Sequence, residues 1–344
     1  MEPKQQQDEK EKSMSPLQVG VIGVGHLGSL HSKMYSQIPS VQFVGVFDVD
    51  IQRSTKIASE FGVKAYTHIE SLLNDVDAVS IATTTQSHYE VAMQVIDKGV
   101  HLLIEKPITA TIDQAKALVE KAERQKIKLQ VGHIERFNPA ILALEPYNIR
   151  PLFIESHRLA QFNPRGSDVA VVLDLMIHDI DLILSLVKSP VSRIDANGVS
   201  VISETPDIAN ARLQFENGCV ANVTASRISQ NKMRKMRLFQ HDAYISIDFA
   251  QGLAEVFHLV DENSANVQPT MMLGKIDQGQ RKRVIVYEQP EVREINALKY
   301  ELERFIDSIQ KNIEPPVNGQ DGLHALEVAQ DILQKIESQN LSIT

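Results

Sequence analysis

The sequence predicts an α/β protein whose first domain is a doubly wound parallel sheet and whose second domain is an α+β unit with an open, mainly antiparallel sheet. Up to residue 132, short continuous apolar runs alternate with helical patterns, as strands buried on both faces do. Beyond about residue 150, apolar and polar residues alternate along several runs, which is typical of strands with one buried face. The length of 344 residues also fits about two domains.

Residues 17–132 are expected to form the first domain. Its predicted strands are 17–22, 41–47, 65–66, 78–82, 100–104 and 128–132. Its predicted helices are 29–37, 53–61, 69–74, 88–98 and 111–125. Because strands and helices alternate, the strands are expected to run parallel with helices on both faces of the sheet.

Residues 133–344 are expected to form the second domain, whose C-terminal helix is expected to pack back on the first domain. The predicted strands are 209–215, 219–227, 244–249, 254–259 and 283–288. The dipeptide Asn217-Gly218 between the first two runs is typical of a hairpin turn. The predicted helices are 173–186, 294–310 and 322–338.

The composition argues against several classes of protein. Asp and Glu outnumber Lys and Arg by 44 to 35, a formal net charge of -9, so no nucleic-acid partner is expected. The single cysteine, Cys219, excludes an intramolecular disulfide and a cysteine-based metal cluster. With no sign of an oxidising compartment, the cytoplasm is the expected location.

Neither a secretory signal nor a membrane span is expected. Residues 1–16 are polar throughout and lack an apolar signal core, so we expect a disordered tail. The most apolar stretch, 171–187, contains four ionisable residues, which would be costly within a bilayer. They are Asp174, His178, Asp179 and Asp181.

A glycine-rich loop follows the first predicted strand. Gly23, Gly25 and Gly28 form a GxGxxG motif, in which the glycines allow a tight turn, close approach of a pyrophosphate and close packing of helix on strand. The helix N-terminus, with His26 and Leu27, offers free N–H groups to phosphates. The motif predicts a dinucleotide site, and a glycine-rich turn without a ligand is the alternative.

Asp48 lies 20 residues after Gly28, at the spacing of the acid that binds the adenosine ribose. Its carboxylate can accept hydrogen bonds from the ribose hydroxyls and would repel a 2′-phosphate. We therefore expect NAD as the cofactor and NADP as the less favoured one. Arg53 is close enough in sequence to weaken that preference.

Polar residues follow two further strands of the first domain. Thr83, Thr84 and His88 come after a buried strand, where they either line the cofactor cleft or begin the next helix. Lys106 follows the next strand, at the edge where open α/β sheets bind ligands, and is either a substrate contact or a solvated charge. Glu105, beside it, is included among the expected cofactor contacts.

The predicted helix 173–186 carries a second polar cluster. Asp174 and His178 lie four residues apart, about 40° around the helix axis, so the carboxylate can orient the imidazole and raise its basicity. Asp181 lies roughly on the same side. A histidine that titrates near neutral pH suits general acid–base catalysis. A zinc site is the alternative, but the sequence supplies no third ligand, so no metal is expected.

Five segments resemble, in this order, the Gfo/Idh/MocA family of nicotinamide-dependent oxidoreductases: GVIGVGHLGSLH, IATTTQSHYEVA, VHLLIEKPITAT, VGHIERFNPA and LDLMIHDIDLIL. The resemblance implies a Rossmann domain and an α+β domain whose open sheet commonly makes a homodimer or homotetramer. It implies a catalytic group of Lys106, Asp174 and His178, and a cis bond before Pro107. In that group His178 would take the proton of a substrate hydroxyl, Lys106 would stabilise the alkoxide, and Asp174 would position both.

The combination HIERFNP, PRGSDV and LMIHDID is most similar to a subgroup of this family that oxidises C3 of UDP-N-acetylglucosamine. An aminotransferase converts the product of that subgroup to a 3-amino sugar for lipid A. A dehydrogenase of a free sugar or inositol is one alternative. A non-catalytic NAD-binding regulator is another, although the complete catalytic group argues against it.

Several further residues are expected near a sugar or nucleotide-sugar substrate. Arg136, Asn138 and Arg165 are placed at the substrate mouth, and His133 lies either in the pocket or in the core. A basic cluster between residues 227 and 237 could bind a diphosphate or simply face solvent. Its members are Arg227, Lys232, Arg234, Lys235 and Arg237.

Overall fold

The computed structural model of the protein describes residues 16–163, 169–261, 271–278 and 281–343. The predicted tail 1–16 lies outside the described residues except for Pro16. Two β-sheets organise the chain, with apolar cores on both faces of the first and on one face of the second. The predicted fold class is confirmed.

Residues 17–132, all of them described, form a sheet of six parallel strands: β1 (Leu17–Ile22), β2 (Val41–Phe47), β3 (Lys64–Tyr66), β4 (Ala78–Ile81), β5 (His101–Glu105) and β6 (Leu129–Gly132). The helices between them are α1 (His26–Tyr35), α2 (Ile51–Phe61), α3 (Ile69–Leu73), α4 (Thr85–Asp97) and α5 (Ile112–Arg124). Each was predicted to within a few residues at its ends. The strand order is β3-β2-β1-β4-β5-β6, so the order reverses between β1 and β4, where ligands bind in sheets of this kind.

The second sheet has nine strands within the described residues: β7 (Phe153–Leu159), β8 (Val191–Val199), β9 (Ile208–Phe215), β10 (Val220–Ser226), β11 (Met233–Phe239), β12 (Ala243–Asp248), β13 (Leu253–Asp261), β14 (Met271–Gln278) and β15 (Arg281–Glu288). Their order is β14-β15-β13-β12-β11-β7-β10-β9-β8. The β7–β10 pair is parallel and the other pairs are antiparallel. The predicted Asn217-Gly218 turn joins β9 to β10, with Gly218 at φ 87°.

Four of these strands, β7, β8, β11 and β14, were not predicted, because polar or charged residues occupy much of their length. In β11, Met236 and Leu238 are buried in the core, whereas the intervening Lys235 and Arg237 are exposed on the other face. Because Lys235 and Arg237 occupy two of its outward positions, β11 has a weak apolar alternation, and the sequence pattern favoured a solvated charge cluster there.

Helices cover one face of the second sheet. After β6 come a 3-10 turn (Ile134–Phe137) and the short helix α6 (Pro139–Leu142). Helices α7 (Ile177–Val187) and α9 (Gly319–Ile343) pack on the sheet, and α9 also contacts α5 and β6 of the first domain.

Helix α8 (Ala297–Gln310) packs on α1 rather than on the second sheet. Its buried residues Leu302, Phe305 and Ile306 belong to the core on one face of the first sheet. The chain therefore returns to the first domain after it has completed the second sheet.

The predicted helix 173–186 does not begin as an α-helix. Its first turn is a π-helical segment, Val172–Met176, which leads directly into α7. The apolar pattern of the sequence does not reveal this turn, because buried residues surround it on every side. Single π turns inside helices are frequent at functional sites, and this one contains Asp174.

A buried ion-pair network fixes α7 to the sheet. Arg158 of β7 donates hydrogen bonds from Nε and Nη2 to the two carboxylate oxygens of Asp179, at 2.8 and 3.0 Å. Its Nη1 donates to Glu135 at 3.0 Å, and all three residues are buried. Because Asp179 is adjacent to His178 on α7, this network sets where the histidine lies.

No helix among the described residues is long and apolar enough to cross a bilayer. In the same part of the chain, no group of His, Cys, Asp and Glu side chains is arranged to hold a metal ion.

Replacing Arg158 with methionine is expected to destabilise the protein strongly. The substitution leaves the Asp179 carboxylate buried without its cation, which typically costs about 3–5 kcal/mol, and it removes one of the two arginines that pair with Glu135. Arg193→Met is the control, because Arg193 forms an exposed pair with Asp195 that is worth about 1 kcal/mol or less. Thermal unfolding followed by circular dichroism tests this, and equal melting temperatures for the two variants would contradict the structural role of the network.

Candidate active site

The carboxyl end of β5 meets the π turn of the second domain at Lys106. Its Nζ donates a hydrogen bond to the backbone carbonyl of Asp174 at 2.6 Å and lies 3.7 Å from Oδ1 of the same residue. The Lys106–Pro107 peptide bond is cis, as the family resemblance implied. A cation of one domain is therefore held against the backbone of the other domain.

His178 lies one turn further along, on α7. Its Nδ1 is buried and has no hydrogen-bond partner among the described residues, so Nε2 is the ring nitrogen available to a ligand. The expected contact between the Asp174 carboxylate and this imidazole is absent from the described residues, because that carboxylate is directed to Lys106 instead. The expectation that Asp174 raises the basicity of His178 is therefore wrong.

The surroundings of His178 favour its neutral form. Burial lowers the pKa of His178 well below its ordinary value of 6.5, and the positive charges of Lys106 and Arg158 and the nearby His133 lower it further. Burial also lowers the pKa of Lys106, and the carboxylates of Asp174 and Glu105 oppose this shift. At neutral pH the imidazole is thus able to accept a proton.

Lys106 and His178 line one cavity of about 680 Å³, which lies between the two sheets. This volume is in the usual range of small-molecule sites, about 300–1,000 Å³. Helices α1 and α8 supply an apolar wall that includes Leu27, Leu30 and Leu298. Charged residues form the opposite wall, among them Glu135, Arg158, Lys232 and Arg234.

Glu105 lines the same cavity, and its carboxylate is in contact with a buried histidine of α1. Its Oε1 is 2.9 Å from Nε2 of the buried His31 of α1. Burial alone would raise the pKa of Glu105, but the hydrogen bond and charge of His31, together with the charge of Lys106, lower it. The strand end therefore presents a negative and a positive group side by side.

The glycine loop forms an open cradle at the N-terminus of α1. Gly23 has φ 83°, which favours glycine, and a Cβ on Gly28 would lie 1.8 Å from the carbonyl oxygen of Gly23. A Cβ on Gly25 would meet nothing within 4 Å, so the space over this residue is open. Gly25 is also the N-cap of α1 and provides no side-chain cap, which leaves the first N–H groups of the helix free for an anion.

Asp48 closes the far side of this cradle at the end of β2. Its Oδ2 accepts the N–H of Val24 at 2.8 Å and its Oδ1 accepts the N–H of Asp50 at 2.9 Å. Nη1 of Arg53 lies 3.4 Å from Oδ1. The carboxylate is thus held in place by the backbone while a half-exposed guanidinium lies beside it.

The cradle and Asp48 belong to a second cavity of about 390 Å³. His26, Thr83 and Thr84 line it as expected, and Leu27 lines both this cavity and the one that contains Lys106. These residues fit a dinucleotide, because the free helix N–H groups suit its phosphates and the fixed carboxylate suits its ribose.

His88 is a structural residue rather than a cofactor contact, which corrects the sequence-based expectation. It is 1% exposed, and its ring nitrogens lie 2.9 Å from the carbonyl oxygen of Pro107 and 3.2 Å from that of Thr83. Burial lowers the pKa of His88, and its contacts with the two carbonyl oxygens oppose this shift.

The expected substrate contacts are mostly placed elsewhere. Arg136 forms a bidentate pair with the buried Asp181 at 2.7 and 2.6 Å and lines a different cavity. Asn138 caps α6 through its Oδ1, and its Nδ2 donates to Glu135 and to the Phe249 carbonyl at 3.3 Å.

His133, a further expected substrate contact, does not reach the cavity either. His133 is 1% exposed and packs in the core, 4.0 Å from the Asp181 carboxylate. Arg165 lies outside the described residues.

The basic cluster is divided between three environments. Lys232 and Arg234 line the cavity of Lys106. Lys235 pairs with Asp248 and Arg237 with Glu155 on the opposite face of the sheet. Arg227 is buried and lies 3.8 Å from Asp207. Arg158 and Glu135 were not singled out from the sequence, because each is an isolated charge in an otherwise ordinary run.

Comparisons with known proteins agree with this geometry. A family model described as "Oxidoreductase family, NAD-binding Rossmann fold" matches residues 17–133, and a GFO/IDH/MocA C-terminal domain matches residues 150–246. The chain is 41% identical over 246 residues to a UDP-N-acetylglucosamine 3-dehydrogenase of Acidithiobacillus ferrooxidans, covering 71% of this chain and 78% of that protein. It is 24% identical to a myo-inositol 2-dehydrogenase of Thermotoga maritima, covering 90% and 93%.

The structure is also similar to that of the enzyme GnnA, the UDP-N-acetylglucosamine 3-dehydrogenase from Acidithiobacillus ferrooxidans. The TM-score is 0.84 at 35% identity, and the match covers 94% of this chain and 98% of that one.

Asp48→Asn is expected to weaken NADH binding by about tenfold and to reduce the preference for NADH over NADPH, because it removes the charge that would accept ribose hydrogen bonds and repel a 2′-phosphate. The amide oxygen can still accept the Val24 N–H, whereas the amide nitrogen cannot accept the N–H of Asp50, so one of the two backbone contacts is kept. Fluorescence titration with both cofactors measures the effect, with Asp75→Asn as a surface control. Unchanged affinities for both cofactors would refute the ribose assignment.

Proposed function

This chain belongs to the Gfo/Idh/MocA family of oxidoreductases and is a dehydrogenase that acts on CH–OH groups, and we propose that its reaction is the NAD-dependent oxidation of a sugar hydroxyl, with C3 of UDP-N-acetylglucosamine as the substrate position. One observation carries the proposal. Lys106 from the first domain and His178 from the second line a single cavity, and Leu27 lines both this cavity and the one that contains the cofactor cradle.

NAD, when bound, supplies the acceptor for the hydride of the substrate carbon. Nε2 of His178 accepts the proton of the hydroxyl group, because burial and neighbouring cations keep the imidazole neutral. The Nζ of Lys106 donates a hydrogen bond to the substrate oxygen and stabilises the negative charge that develops there. Asp174 positions Lys106 through its carbonyl and carboxylate oxygens.

The choice of NAD rests on Asp48, whose carboxylate faces the ribose position and disfavours a 2′-phosphate. Arg53 does not reverse this preference, because its guanidinium is shared between Asp48 and Asp50. A cation that is already paired with two carboxylates is a weaker partner for an additional phosphate.

A nucleotide sugar is favoured as substrate by the relative from Acidithiobacillus ferrooxidans, which is 41% identical and is named as an enzyme of UDP-N-acetylglucosamine. The 3-keto product would require transamination to yield a 3-amino sugar. We therefore expect an aminotransferase to catalyse the next reaction. Inositol is the second candidate, because relatives at lower identity are named inositol dehydrogenases.

A homo-oligomer formed through the uncovered face of the second sheet is also proposed. Five aromatic rings form a row across β7, β11, β12, β13 and β15 on this face, with centroids 5.0–5.8 Å apart. They are Phe153, Phe239, Tyr244, Phe257 and Tyr287. A continuous aromatic row on the uncovered face suits a contact with a second copy.

Lys106→Met and His178→Ala are each expected to lower kcat/KM for UDP-N-acetylglucosamine by about 100- to 10,000-fold, since each removes a proton-transfer or charge-stabilising group. NADH binding should remain within about threefold of wild type, because neither residue lines the cradle. Lys98→Met and His324→Ala are exposed controls. Full turnover in either active-site variant would rule out the role given to that residue.

The acid limb of kcat/KM for oxidation is expected below pH 6.5. Neutral His178 is the active form, its pKa is lowered by burial and by the charges of Lys106 and Arg158, and activity is lost only as the pH falls through that lowered pKa. A pH–rate profile measures this. An acid limb centred above pH 6.5 would contradict a neutral, desolvated base.

A further inference from the structure

We propose that Lys232 and Arg234 bind the diphosphate of a nucleoside diphosphate sugar and thereby select it over a free sugar; this inference rests on the proposed function. Both residues line the cavity that holds Lys106 and His178. Among the described residues, no hydrogen bond or ion pair joins either residue to Lys106 or His178, so we assign them to specificity rather than to catalysis.

The strand β11 explains why only part of the basic cluster reaches the cavity. Side chains alternate between the two faces of a strand, so Arg234 lies on the same side as Met236 and Leu238, toward the helices. Lys235 and Arg237 lie on the opposite side, where they pair with carboxylates of β12 and β7. Lys232 precedes the strand and extends the cavity wall at its rim.

Both cavity-lining cations keep donors that have no partner among the described residues. Lys232 is exposed and makes no ion pair or hydrogen bond within the described residues. Arg234 contacts Glu135 through Nη2, but its Nε is buried and has no partner in the described part of the chain. A buried guanidinium N–H without an acceptor is costly, so a ligand oxygen would relieve it.

Arg158 in the same wall shows the opposite situation. Its Nε, Nη1 and Nη2 are all committed to Asp179 and Glu135. The unused positive charge of the wall therefore comes from Lys232 and Arg234. Two such cations on one wall are suited to phosphate oxygens, which guanidinium and ammonium groups bind through charge-assisted hydrogen bonds.

The rest of the cavity indicates a diphosphate attached to larger groups at both ends. One end must reach Lys106 and His178, where the sugar hydroxyl reacts. The wall opposite the cations contains Leu27, Leu30 and Leu298, which offer apolar surface to a ring such as a nucleobase. A hexose alone would leave both the cations and this apolar wall without a partner.

UDP is the probe for the binding test, titrated calorimetrically into the enzyme saturated with NADH. Lys232→Ala and Arg234→Gln are each expected to weaken UDP binding by about tenfold or more, as the loss of a charge-assisted contact does. Lys235→Ala is the matched control, since it removes a lysine of the same cluster from the other face. Melting temperatures within a few degrees of wild type verify that the variants are folded.

Parallel kinetics with UDP-N-acetylglucosamine, N-acetylglucosamine 1-phosphate and N-acetylglucosamine separate the possible failures. The inference predicts that Lys232→Ala and Arg234→Gln raise KM for the UDP-sugar and leave kcat within about threefold. Equal UDP affinity in wild type and both variants would overturn the inference while leaving oxidation of the UDP-sugar intact. Equal kcat/KM of wild type for all three substrates would also overturn it. If wild type binds UDP through these residues but oxidises none of the three, the proposed function fails and the binding site stands.

Discussion

The hydrogen bond from Lys106 to the backbone of Asp174 is the contact on which the site depends. It joins residues 68 positions apart and brings the end of a parallel strand to the first turn of a helix from the other sheet. The carbonyl that accepts this bond belongs to a π turn, so the irregular start of the helix is joined directly to Lys106. The cavity exists because these two ends meet there, and the Arg158 network holds the helix in that position.

In the segment 172–187, each acidic residue pairs with a lysine or an arginine, and none pairs with His178. Asp174 faces Lys106, Asp179 pairs with Arg158, and Asp181 pairs with Arg136. His178 is thus buried near the positive charges of Lys106 and Arg158. No carboxylate among the described residues forms an ion pair with it. This arrangement yields a neutral base rather than a charged one.

Much of the fold could be predicted from the sequence, whereas less of the site could. Buried parallel strands and the GxGxxG loop have strong local signals, so their positions, and the place of Asp48 at the end of β2, follow from the sequence. Other features cannot be predicted in this way, because they depend on which side chains meet across the two sheets. They are the partner of Asp174, the burial of His133 and the ion pair between Arg136 and Asp181. The spacing of Asp174 and His178 was compatible with a direct contact, and only the position of Lys106 determines that the carboxylate turns away. The basic cluster was ambiguous for a similar reason, since strand β11 has too little apolar alternation to show which residues face the cavity.

The central claim is that the cavity brings a sugar carbon beside the cofactor, with Lys106 and His178 at its hydroxyl group. Mass spectrometry of the reduced cofactor, after turnover of UDP-N-acetylglucosamine deuterated at C3 with NAD and a trapping aminotransferase plus glutamate, tests this most directly. We expect one deuterium in each NADH formed. NADH without deuterium, or no reduction of NAD in the presence of the trap, would contradict the claim.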